Sequence, residues 1–204
     1  MKTSLAFLFC GVLLGAAAIR PAAPASAAAI VQTSDGKPSI QDEPRAMARV
    51  VYFGNSGIAG EYTIEYGKPT WKAEYDKGFD KLSRGNRLRL GRDYWTTLDT
   101  WNALTVGDKD VKAGAYFLGL ECSDKGQWSL VLLDPEPLRK QRFDAFGTPQ
   151  TKGGLLVPLQ HAEAKESADT LTIRFLADEK DARLQTLEIH FGKHRLTAAV
   201  KPKV

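Results

Sequence analysis

Apolar side chains stand at alternate positions along most of this chain, and that period of two confines it to strands. Val50 and Tyr52 share one face, as do Tyr62, Ile64 and Tyr66, while Leu88 and Leu90 lie opposite Arg87 and Arg89. The pattern returns in Leu155, Val157 and Leu159, in Leu171, Ile173 and Phe175, in Leu187, Ile189 and Phe191, and in Leu196, Ala198 and Val200. From Leu104 to Asp134 it takes its densest form. There Leu104–Val106, Tyr116–Leu120 and Trp128–Leu133 are set between clusters of Gly, Asp and Lys, as in consecutive antiparallel strands with short turns. Gly192-Lys193, between two alternating runs, reads as a two-residue hairpin turn. Only Tyr75–Arg84 and Pro137–Phe143 leave room for a turn or two of helix. The fold expected is all-β: a single antiparallel β-sandwich of about nine strands in two packed sheets, each with one wet face, and little helix.

The amino-terminal end is of another kind. Lys2, the apolar stretch Leu5 to Ala18 and the small-residue tract Ala22 to Ala29 have the order of a cleaved secretory signal. The apolar stretch ends at Arg20 and Pro21, short of the roughly 20 residues that a spanning helix needs. Residues 1–29 are therefore expected to be a signal peptide, 30–47, with Pro38 and Pro44 and no apolar period, a flexible leader, and 48–204 the β-sandwich domain. That order predicts an exported protein, periplasmic or extracellular, without a stable membrane span after cleavage.

Loss of residues 1–29 removes Lys2 and Arg20 and no acid, so 28 basic residues fall to 26 against 24 acidic ones. Nucleic-acid binding through phosphates calls for a clustered basic stripe, and here the two signs alternate. The local excess of Lys81, Arg84, Arg87, Arg89 and Arg92 reads as the wet side of a strand and its turn. Cys10 leaves with the signal, so Cys122 has no partner within the mature chain and the core must supply the stability.

Chemistry is sparse in the residues. His161, His190 and His194 are the three histidines, and the turn expected at Gly192-Lys193 would set His190 and His194 on different faces. No metal or cofactor is expected from that arrangement. Asp108 and Asp110 lie among lysines and read as a solvated hairpin turn. No nucleophile has an evident base, so an enzyme is the less favoured class. Tyr94, Trp95, Asp99 and Trp101 form a polar stretch flanked by indoles, the one candidate ligand platform.

Tyr66-Gly67-Lys68-Pro69, Tyr94-Trp95, Val111-Lys112-Ala113-Gly114-Ala115-Tyr116, Trp128-Ser129-Leu130-Val131-Leu132 and Leu187-Glu188-Ile189-His190-Phe191-Gly192 follow one another in an order that resembles a bacterial secreted family. It is catalogued as domain of unknown function 2911. The resemblance spans roughly Gly60 to Lys201 and implies an exported all-β protein without established activity. Two functional expectations follow. One is a non-catalytic structural or interaction module meeting an envelope or extracellular partner; the other is a domain for carbohydrate or a small polar ligand, using Tyr94, Trp95, Asp99 and Trp101.

Overall fold

The alternating runs form ten strands: β1 Arg45–Gly54, β2 Gly57–Gly67, β3 Asn86–Arg89, β4 Thr96–Thr100, β5 Leu104–Val106, β6 Lys109–Val111, β7 Gly114–Cys122, β8 Trp128–Leu133, β9 Leu155–Ala177 and β10 Gln185–Pro202. The computed structural model describes residues 44–203, so the signal expected over 1–29 and nearly all of the leader expected over 30–47 lie outside the described residues. The two helices, α1 Tyr75–Ser83 and α2 Pro135–Lys140, fall close to the segments that had room for them. Asp134 starts α2 by accepting a hydrogen bond from the Glu136 amide at 2.9 Å, and Pro135 supplies a pre-set φ just inside the helix.

All pairings among these strands are antiparallel, in the order β1-β2-β4-β7-β8-β9-β10-β5-β6, with β3 beside β4 along the same edge of β7. The all-β class expected from the alternation holds. The two layers, however, belong to one open sheet of ten strands rather than to two separate sheets of about nine. Leu155–Leu159 and Leu171–Phe175, which look like separate strands, are both part of the 23-residue β9. Its first residues pair with β8 and its later ones with β10, so the ladder passes from one half of the sheet to the other without a break.

The turn expected at Gly192-Lys193 is also absent. β10 runs straight through it, and the register with β9 shifts between His190 and Gly192 and again between Gly192 and His194. The extra residues lie on β9, which uses Glu163–Thr172 opposite His190–His194, and Gly192, at φ 59°, takes the left-handed conformation that also suits a hairpin turn.

The sheet folds over so that Tyr62, Ile64 and Leu98 of one half share a core with Leu171, Ile173, Leu187 and Ile189 of the other. Beyond its pairing with β8, β9 is covered by the segment that follows β2. The Leu171 amide donates to the Pro69 carbonyl at 3.0 Å and the Trp71 amide to the Asp169 carbonyl at 2.7 Å. The buried Tyr66 hydroxyl accepts from the Ile173 amide at 3.0 Å and donates to the Ile173 carbonyl at 3.2 Å. Backbone groups that the interior would otherwise leave unpaired are thus satisfied across the two layers.

One outer face is not wet. Trp95, Phe117, Val131, Leu133 and Ala145 form a second buried cluster, with Leu138 of α2 and Phe143 packed against it. This explains the unbroken apolar run of β8: Leu130 and Leu132 enter the main core while Val131 and Leu133 enter the second.

Glu188, near the start of β10, is a buried carboxylate, 2% exposed. Arg174 donates to its Oε1 at 2.7 Å and Arg195 to its Oε2 at 2.5 Å. Burial raises its pKa, but the hydrogen bonds and charges of the two arginines outweigh burial and hold it below the usual carboxylate range. Folding is therefore favoured by this group above the ordinary Glu pKa, and the gain is lost as pH falls through the depressed folded value. Glu188→Gln is expected to lower the urea midpoint at neutral pH and to shrink the further drop between pH 6 and pH 3, measured by equilibrium unfolding at both values. An equal acid drop in both proteins would contradict the assignment.

Candidate functional site

Helix α1 lies over the sheet because Tyr75 and Phe79 fall on one helical face, with Asp76 in the first turn and Lys81 in the last to suit the helix dipole. Phe79 stacks on Trp128 of β8 at 6.1 Å and 12° between planes. Trp71, just before the helix, meets Phe191 of β10 edge-on at 4.9 Å, and its indole N–H donates to Asp76 Oδ1 at 2.9 Å. Two neighbouring spaces result. One is a cavity of about 290 Å³ walled by Tyr75, Phe79, Leu88, Leu120, Trp128, Leu171, Ile189, Phe191 and Leu196, with His194 at its border. The other is a cleft of about 700 Å³ that shares Tyr75, Phe79 and His194 and adds Asp76, Asp80, His161, Glu163 and Lys193.

His161 of β9 and His194 of β10 meet in that cleft, with Nε2 of the first 3.2 Å from Nδ1 of the second. Their ring centroids are 5.3 Å apart, so the nitrogens rather than the ring faces approach each other. Phe79 lies 4.5 Å from the His194 ring. Burial, and then the neighbouring His161, push the His194 pKa below the ordinary histidine value, against weaker opposing pulls from Asp80 and Glu163. His190 is on the other face of β10, with its Nε2 buried and without a hydrogen-bond partner among the described residues. Neither member of the 161–194 pair hydrogen-bonds a hydroxyl or thiol among the described residues, so no activated nucleophile is assembled there.

The platform read from the sequence is a row, not a hollow. Trp95, Asp99 and Trp101 share a face of β4 and its continuation, and six residues of strand separate the two indoles by roughly 20 Å. Trp95 is 2% exposed and stacks on Phe117 at 4.7 Å and 3°. Tyr94 is 52% exposed, under the Arg45 guanidinium at 5.8 Å. Asp99 faces outward, and Trp101 is 58% exposed, its amide donating to the Glu61 carbonyl at 2.9 Å. None of the four lines the cavity beside α1 or the cleft next to it.

Of the basic residues, Arg87 is held by Glu121 at 2.7 Å and donates to the carbonyls of Thr151 and Gly153, which makes it a brace between β3 and the loop before β9. Cys122 is buried and unpaired, and burial raises its thiol pKa. Such a thiol is a core side chain rather than a reactive group. Among the described residues no helix is long and apolar enough to cross a membrane.

The family model described as Protein of unknown function (DUF2911) matches residues 55–200, which takes in β2 through most of β10, α1 and both spaces beside it. The chain belongs to this family. No curated protein and no solved structure matches it. Within the DUF2911 region lie Trp71, Phe79, His161 and His194 as well as Tyr94, Trp95, Asp99 and Trp101. Trp71 and the histidine pair escape a reading by sequence, because the expected turn at Gly192-Lys193 hides the register that brings His194 to β9.

Proposed function

We propose that this DUF2911 chain is a non-catalytic binding module, exported to the periplasm or beyond, that holds a small and mainly apolar molecule between α1 and the sheet. The carrying observation is the cavity of about 290 Å³, mostly apolar on its walls with Ser83 and Arg89 among them, and adjoining charged and imidazole groups through shared residues. That volume sits at the lower end of the roughly 300–1,000 Å³ of small-molecule sites, and an apolar pocket with a few polar groups at one side suits an amphipathic ligand. Export rests on the signal-like residues 1–29.

The test is a thermal-shift screen of the full chain against medium-chain fatty acids, aromatic acids, glycans, peptides and divalent metals. A ligand at about 100 times its Kd adds about 2.7 kcal/mol to the folded state, a rise of roughly 5–11 °C for a domain of this size. Leu82, 60% exposed and at the cavity, offers a clean control. Leu82→Glu is expected to leave the unliganded midpoint within about 0.5 kcal/mol of the parent while removing the response to apolar acids. Silence across the panel would sink the ligand reading and leave a module that meets other proteins. The exposed Trp101, with Asp99 on the same face, supports a second reading as a glycan platform. A response to glycans that Trp101→Ala abolishes would establish it.

A further inference from the structure

We propose that His161 and His194 bind a divalent transition metal such as zinc, at the border of the cleft beside α1. Two imidazole nitrogens each about 2.0–2.1 Å from one zinc ion at the tetrahedral angle stand roughly 3.3 Å apart. Here Nε2 of His161 and Nδ1 of His194 are 3.2 Å apart, nitrogen toward nitrogen. That contact is one N–H facing one lone pair; to bind a metal at both nitrogens, the donor ring moves its proton to its other nitrogen and the two rings tilt so that both lone pairs converge on the ion. The rings are also braced. Phe79 packs on His194 at 4.5 Å and Trp128 lies 6.3 Å from His161, on a strand rather than a loop.

A carboxylate is within reach. Glu163 is two residues from His161 on the same face of β9 and is the direct cross-strand partner of His194. Its contact with Lys193, at 3.8 Å between two exposed side chains, is weak enough to yield to a metal. Asp80, reaching from α1, acts on His194 electrostatically from the other side. Among the described residues no three metal-binding side chains are already gathered around one point. The histidines therefore provide the fixed edge of the site, Glu163 joins by a side-chain rotation, and water completes the shell. Mixed imidazole and carboxylate donors suit zinc, nickel and copper better than calcium or magnesium. This metal site does not depend on what fills the apolar cavity.

Calorimetric titration of zinc chloride into the metal-stripped full chain is the test, with calcium as the comparison ion. One equivalent of zinc is expected at a Kd of roughly 1 μM or below, and no heat from calcium. Loss of a mere supporting partner costs metal sites 10–100-fold, so His161→Ala and His194→Gln should each weaken zinc by at least about tenfold. His161 is exposed, so its variant keeps the fold, which far-ultraviolet circular dichroism verifies. His190→Ala, on the opposite face, should bind as the parent does. Absence of zinc binding, or binding that His161→Ala leaves unchanged, overturns the proposal and reduces the pair to an imidazole hydrogen bond.

Discussion

Trp95→Ala is expected to cost about 3–5 kcal/mol, a fall in melting temperature of roughly 6–20 °C for a domain of this size. The indole is stacked on Phe117 at 4.7 Å and closed over by Ala145, Leu138 and Phe143, so truncation leaves a cavity with rigid walls on several sides. Its N–H donates to the Phe143 carbonyl over a long 3.4 Å, which adds little, so the loss is mainly packing. Trp101→Ala, on the same face of the same strand, should stay within about 0.5 kcal/mol of the parent, since that residue is more than half exposed. Paired thermal melts of the two variants separate a core role from a surface role. Near-equal small losses would mean that the second cluster does not hold the outer face of the sheet.

The contrast between these two tryptophans shows where sequence reasoning reaches and where it stops. Their spacing puts both on one side of β4, and the alternation gives that much. Which of them is covered depends on α2 and the short 3-10 helix Ala145–Gln150, whose residues lie more than thirty positions away and close over only one end of the strand. The inward faces carry their own label: Tyr62, Ile64 and Tyr66, Leu187 and Ile189, and Leu196, Ala198 and Val200 are all buried as their period requires. Helix α1 is legible for a similar reason, because no alternation survives between Tyr75 and Arg84. The candidate site is not legible in this way. His161 and His194 come together only through a register that shifts twice because β9 carries extra residues there, and glycine followed by lysine has the same local appearance inside an irregular strand as in a turn.

Gly192 is the residue on which that hidden register turns, and Gly192→Ala is expected to cost about 2–5 kcal/mol from two separate causes. At φ 59° any side chain raises the backbone energy, and a Cβ there would stand 2.5 Å from Cδ2, Cε2 and Cε3 of Trp71. The indole lies flat on the glycine, so the methyl group must push it away, and with it the contacts to Phe191 and Phe79. The cover over the cleft should loosen as well as the strand. Hydrogen exchange of the α1 amides is expected to quicken by more than the global loss of stability explains, because local opening of the helix then becomes easier than unfolding. The two causes can be separated. Combined with Trp71→Ala, the added methyl no longer meets a ring, so the cost of Gly192→Ala in that background should fall to the backbone share of about 1–2 kcal/mol. An equal cost in both backgrounds would show that Trp71 does not rest on Gly192 and that this glycine does not seat the cover of the site.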